Sequence, residues 1–340
     1  MTGTIFTPTR VRPPERLPQW TRRSLHEGAL PPVVAFVAFM AIYLAINPGL
    51  LTRFQLQTAA NLVVPLAIIA LGQLLIVLIG GIDISIGAIA SLCNVVFATQ
   101  LANLPGWAAL LVGVATGAAC GLFNGFLVAF GRLPAIAVTL ASAFIIGAIA
   151  RTVLDRPGGA LDQSVFLITS GELVPFVPMS IVWLVLIAVV VWFILQRTGF
   201  GRQIYGVGSN REAVQAAGLN SRATILGTFV FSGILVSFGA MLLAGSTVTG
   251  DPRSGDPYLL TSIAAVALSG ASFAGGRGSV LGTVVAACTL GLVGNLLFFA
   301  GVNSYWQYVI NALIIFAVVA IPMLVRVVAA RSALAKGGRP

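Results

Sequence analysis

Of 340 residues, 58% are hydrophobic and 8% charged, where a water-soluble globule carries roughly a quarter of its residues as charges. The excess of 19 Lys and Arg over 9 Asp and Glu gives a net charge of +10, but the basic residues fall between long apolar runs, so no nucleic-acid partner is expected. Cys93, Cys120 and Cys288 lack CxxC spacing, His26 is the sole histidine, and the sole lysine, Lys336, stands outside any GxxxxGK[ST] motif. These residues exclude a metal centre, a histidine-dependent catalytic residue and ATP hydrolysis by the chain itself, so the sequence reads as a non-enzyme without a cofactor of its own.

Residues 1–30 form a Pro- and Arg-rich tail expected to lie in the cytoplasm against anionic lipid, and the first apolar run follows it too late to be a cleavable signal peptide. A bilayer-crossing helix needs roughly 20 apolar residues, and the gaps between charges supply such runs in order. The first is Pro31 to Asn47 and the second Arg53 to Asp83. Ile84 to Gly131 carries no charge over 48 residues and breaks at Asn103, Pro105 and Gly106, giving a third and a fourth. Leu133 to Ala150, Leu173 to Gln196 and Ala223 to Gly250 supply the fifth, sixth and seventh. Pro257 to Gly276 is the eighth, short enough to be re-entrant, and the uncharged run Gly278 to Val325 turns at Gly301, Asn303 and Ser304 to give two more. The expected architecture is an all-α polytopic membrane protein of about ten helices over residues 31–328, with a cytoplasmic tail over 329–340. With both termini in the cytoplasm, 15 of the 19 basic residues lie inside, as the positive-inside rule favours for a bacterial cytoplasmic membrane protein.

The apolar interiors hold essentially no charge, which argues against an ion relay; an ion-coupled secondary carrier for a small neutral solute is the alternative reading. Uncharged polar residues within the spans include Asn61, Gln73, Ser91, Asn94, Asn124, Thr139, Ser142 and Asn295. Of these, Asn94, Asn124 and Thr139 are candidates to line a polar solute's path, because amides and hydroxyls both donate and accept. Two glycine-rich turns stand out: Gly80, Gly81 and Asp83 within Gly80–Gly87, and Gly275, Gly276 and Arg277 within Gly275–Gly282. Asp83 is expected to cap the following helix, and Asp83 and Arg277 to pair across the two turns. The polar interval 197–222 contains a short helix signal: Asn210 as cap, Arg211, Glu212 and alanines as helix formers, and Gly218 as terminator.

These features together resemble the permeases of binding-protein-dependent ABC importers. Glu212-Ala213 with Gly218 resembles the EAA-type loop, and Gly201, Arg202, Tyr205, Val207, Gly208 and Asn210 resemble the approach to that loop in the branch importing ribose, xylose, arabinose and galactose. The Gly80–Gly87 turn resembles that branch's GGIDLSVG, and Gly121, Asn124, Gly125, Val128, Gly131, Arg132, Pro134, Val138, Thr139 and Leu140 resemble its GxxNGxxV…GRxP…VTL stretch. Gly275 to Thr283 and Ser304 to Gln307 resemble its GGRGSxxGT…SYWQ block. The chain departs from that branch at Ala135, Ile136, Ile146, Gly147, Gly206 and Ser209. The resemblance implies a pore of two permease subunits, identical or different, and a cytoplasmic ATPase that binds ATP and grips the loop through Arg202, Asn210, Arg211, Glu212 and Gly218. It also implies an extracytoplasmic binding protein that delivers a monosaccharide such as ribose.

Overall fold

The computed structural model describes residues 30–100, 104, 106–159, 161 and 163–303, with isolated positions between 306 and 317. The two expected tails, His26, Lys336 and most of the last expected span lie outside the described residues, as do Ser304, Tyr305 and Gln307 of the SYWQ block.

The described chain is almost entirely helical. In chain order it forms α1 (Leu30–Ile46), α2 (Arg53–Leu78), α3 (Ile86–Gln100), α4 (Gly106–Ala129), α5 (Ala135–Val153) and a short α6 (Gln163–Ser170). A hairpin of β1 (Glu172–Val174) and β2 (Val177–Pro178) leads into α7 (Met179–Arg197), then α8 (Gly199–Ser209), α9 (Arg211–Ala216), α10 (Ser221–Thr247), α11 (Asp256–Leu268) and α12 (Val280–Phe299). Among the described residues, α2, α4, α5, α7, α10 and α12 are long and apolar enough to cross a membrane, while α1, α3 and α11 are shorter apolar helices. Together these nine match the first nine expected spans.

Helix α2 is the axis. Every residue from Val63 to Leu78 is buried, as expected of a helix apolar on all sides and enclosed by other helices. Helix α10 packs along it, where Ser232 Oγ donates to the Gly72 carbonyl at 3.0 Å. The other side of α10 meets α4, whose Gly117, Gly121 and Gly125 repeat every fourth residue and let the two backbones touch at Gly233, Phe229 and Leu226.

One end of the bundle carries the hairpin, anchored by an ion pair of 2.6 Å between Arg53 and Glu172. The opposite end carries α8 and α9. The sixth expected span begins later than its apolar run, because Leu173 to Pro178 is spent on the hairpin. The eighth is also shorter than expected: α11 ends at Leu268, and the residues up to Ser279 form a loop at the α8–α9 end.

Candidate functional site

Two spans are interrupted inside the bundle. With 15 residues, α3 rises only about 22 Å, and α11 with 13 about 20 Å, against the roughly 30 Å of a hydrocarbon core. Each is preceded by a non-helical stretch, residues 79–85 before α3 and 248–255 before α11. The chain runs toward the hairpin end in α3 and toward the α8–α9 end in α11, and their N-terminal ends meet. A Cβ on Gly87 would lie 2.6 Å from the Gly255 carbonyl oxygen, and one on Gly255 would overlap the Gly87 carbonyl. Only glycine fits on either side.

Non-helical backbone at membrane depth must find its hydrogen bonds within the protein. Half of the eight polar residues named inside the spans, Gln73, Ser91, Asn94 and Thr139, supply such bonds. Ile84 N–H donates to Thr139 Oγ1 at 3.1 Å, and that hydroxyl in turn donates to the Ala135 carbonyl. Asn124 Nδ2 donates to Ser85 Oγ at 2.8 Å. Gln73, with its amide nitrogen turned toward Asp83, pairs with both the carbonyl and the N–H of Asp83. In the second stretch, Asp251 N–H donates to Asn94 Oδ1 at 2.8 Å and Gly255 N–H to Ser91 Oγ at 2.9 Å. Asn61 and Asn295 bridge helices instead, to Ser170 and Ser180 and to Tyr43 respectively.

Asn94, Asn124 and Thr139 are all buried, so in this conformation none faces an open path. Thr139 is fully engaged with backbone. The two amides keep unused capacity, since Asn94 Nδ2 and Asn124 Oδ1 have no partner among the described residues.

The two glycine-rich turns come together, but not through the expected ion pair. Asp83 is buried, and its carboxylate accepts from Ser85 N–H at 2.8 Å and Ser85 Oγ at 2.5 Å, facing the start of α3. Arg277 is exposed, and among the described residues it forms no ion pair. Gly276 N–H instead donates to the Leu78 carbonyl at 2.9 Å, joining the turns backbone to backbone. Gly80, Gly275 and Gly276 adopt positive φ, which allows turns this tight. Gly208 of α8 is wedged between them: a Cβ there would overlap the Leu78 carbonyl and lie 2.6 Å from Gly276 N. Tyr205, one turn earlier, donates to the Gly278 carbonyl at 3.3 Å.

The 197–222 interval folds as two short helices. Asn210 closes α8 and caps α9, its Oδ1 accepting from Ala213 N–H at 2.9 Å. Gly218 ends α9 with φ +77°, and its N–H reaches the Gln215 carbonyl. Arg202, Arg211 and Glu212 are exposed, while Val214 is buried and fixes α9 to the bundle.

A family model described as the permease component of a branched-chain amino acid transport system matches residues 55–319, which include both interrupted spans and the α8–α9 pair. The chain belongs to this permease family. It is 34% identical over 258 residues to a probable ABC transporter permease of Sinorhizobium fredii, covering 76% of this chain and 78% of that one. It is 30% identical over 296 residues to the ribose import permease of Haemophilus influenzae, with 84% and 90% covered. The galactose/methyl galactoside import permease of Escherichia coli is 32% identical over 315 residues, with 86% and 93% covered. No solved structure matches the chain significantly.

This permease is therefore a multi-pass membrane component of a transport system and not an enzyme. The sequence reading missed Ser91, Gly87 and Gly255 as parts of one contact. The breaker-rich segment Gly250-Asp251-Pro252-Arg253-Ser254-Gly255 was a signal, but it reads equally well as an ordinary loop between two spans.

Proposed function

We propose that the permease forms the translocation path of an importer for a monosaccharide, paired with a second permease subunit, driven by a separate ATP-binding subunit at the α8–α9 end and loaded by a binding protein at the hairpin end. The similarity to import permeases for ribose and for galactose supports a monosaccharide. The observation that carries the ATPase-driven reading is the α8–α9 pair. The pair exposes Arg202, Arg211 and Glu212, while Gly208 packs against Leu78, at the entry to the first glycine-rich turn, and against Gly276 of the second. Displacement of α9 by a partner would reach both interrupted spans, the kind of discontinuous element that alternating access uses.

The basic α8–α9 end is assigned to the cytoplasm with both termini, following charge bias. ATP belongs to the partner subunit. Asn94 and Asn124 are assigned to solute contact through their unused Nδ2 and Oδ1 atoms, and Thr139 to holding the 79–85 stretch.

Proteoliposomes containing the permease, its ATPase and its binding protein should take up labelled ribose or galactose only with ATP. Leucine, supplied in parallel because the family description names branched-chain amino acids, should not enter. Accumulation driven by an ion gradient with no ATPase present would overturn the assignment in favour of a secondary carrier.

A further inference from the structure

Between the Gly80–Gly81 turn, the α4–α5 turn and the inner side of α9 lies a cavity of about 610 Å³. Among the described residues, Arg132, Arg211 and Arg222 line it, with Glu212 as the one acidic group in its wall. Among the described residues the ion pairs are Arg53 with Glu172 and Arg253 with Asp256, so none of these three guanidinium groups is neutralised by a carboxylate. Three cations against one anion, converging on one concavity, favour an anionic ligand. Guanidinium groups suit phosphate oxygens, which they can bind two at a time.

Apart from Gln215, the rest of the wall is apolar and includes Val128, Leu133 and Ile225. Phe130 and Leu133 lie within two residues of Arg132, and Ile136 follows the wall residue Ala135; these three and Phe126, whose ring stacks on that of Phe130 at 5.4 Å, are all exposed apolar side chains. A basic concavity at the end of a membrane bundle, bordered in sequence by exposed apolar residues of the same two helices and the turn between them, matches a molecule with an anionic head and a hydrocarbon tail. A free cytosolic anion would use the concavity and leave those apolar side chains without a role. Arg132 also holds a left-handed backbone conformation with φ +54°, uncommon for a residue with a Cβ, which fixes where its side chain leaves the turn.

We propose that this cavity binds the phosphate head of an anionic phospholipid from the leaflet on the α8–α9 side, with its acyl chain along Phe126, Phe130, Leu133 and Ile136. The bound head ties the α4–α5 turn, through Arg132, to the starts of α9 and α10, through Arg211 and Arg222. The site stands whether or not the transported solute is a monosaccharide; the proposed function supplies only the name of the leaflet, the cytoplasmic one.

The test is native mass spectrometry of the purified full chain in neutral detergent, titrated separately with phosphatidylglycerol, phosphatidylcholine and inorganic phosphate. The wild-type chain should retain phosphatidylglycerol over phosphatidylcholine, and Arg132→Gln with Arg222→Gln should lower that retention on the order of tenfold, as expected for two basic residues near an anionic head. Arg132→Lys with Arg222→Lys keeps the charge and should keep most of the retention, which separates lost binding from lost folding. Arg253→Gln, at the opposite end, should change nothing. Equal retention of the two lipids, equal retention by the wild-type and glutamine-substituted chains, or inorganic phosphate displacing the lipid at stoichiometric concentration would each overturn the assignment.

Discussion

The Gly87–Gly255 contact gives the sharpest quantitative expectation. In Gly87→Ala the new Cβ would start 2.6 Å from the Gly255 carbonyl oxygen and 3.3 Å from its carbon, and both obstacles are backbone, which cannot rotate away. The two interrupted spans must part by several tenths of an ångström. That movement also stretches the bond from Gly255 N–H to Ser91 Oγ at 2.9 Å and that from Asp251 N–H to Asn94 Oδ1 at 2.8 Å, since both link α3 to the 248–255 stretch. Overpacking costs about 1–3 kcal/mol and weakening the two bonds about 1 kcal/mol each, so Gly87→Ala should lose about 3–5 kcal/mol. Gly255→Ala strains the same contact from the other side, and the double variant should cost less than the sum of the singles. The assay is thermal unfolding of the purified chain in detergent, followed by tryptophan fluorescence. Gly199→Ala is the matched control, because the nearest atom to its added Cβ is Arg202 Nη2 at 3.8 Å. If Gly87→Ala and Gly255→Ala both unfolded at the temperature of Gly199→Ala, the reading of a glycine-only crossing between broken spans would be wrong.

Glu212→Ala should lower solute moved per ATP hydrolysed in the reconstituted importer while the permease alone unfolds as the wild type does, because the Glu212 side chain is exposed at the α8–α9 end. Gly218→Ala meets no atom within 4 Å but keeps φ at +77°, so it should lose about 1–2 kcal/mol from backbone strain alone, with Gly218→Asn losing less in the same unfolding assay. Thr139→Val leaves Ile84 N–H without its acceptor inside the bundle and should cost about 1–3 kcal/mol, whereas Thr139→Ser should stay close to wild type. The Arg53–Glu172 pair has its arginine side chain 61% exposed, so a double-mutant cycle on unfolding should give a coupling below about 1 kcal/mol that shrinks with added salt.

Charge spacing made the spans legible because hydrocarbon tolerates few charges, and an uncharged run of sufficient length has little alternative to crossing. The cap at Asn210 and the stop at Gly218 were legible for a local reason: both act within one helical turn of their own position. Nothing in local chemistry distinguishes Gly87 from the other 37 glycines, since its significance depends on Gly255, which is 168 residues away. The same limit explains Asp83 and Arg277. Opposite charges on two similar turns suggested a pair, but the turns meet through Gly276 N–H and the Leu78 carbonyl, groups that every sequence carries. Asn94 and Asn124 stand out in the sequence as polar groups in apolar helices, and the structure gives them the two interruptions to hold, Asn94 through the Asp251 N–H and Asn124 through the Ser85 hydroxyl. Which stretch each holds was hidden, because the interruptions themselves carry no unusual composition beyond glycine and proline.

The contacts around Gly208 close a loop. One arm leaves Gly208 through the Leu78 carbonyl, passes along the non-helical residues 79–85 and arrives at Gly87. The other leaves through Gly275 and Gly276, runs back through the turn to α11 and arrives at Gly255. Both arms end at the same crossing, so a displacement of α8 cannot move one interrupted span without loading the other at their shared contact. The first arm is non-helical chain held by Gln73, Thr139 and Asn124, whereas the second contains a helix of 13 residues. Non-helical backbone held by a few side-chain bonds yields more readily than a helix with its own internal bonds. On the proposed reading, a push from the ATPase would therefore first change the 79–85 stretch and the hydrogen bonds that hold it, beside the unused Asn124 Oδ1, while α11 carries its share of the displacement as a rigid body.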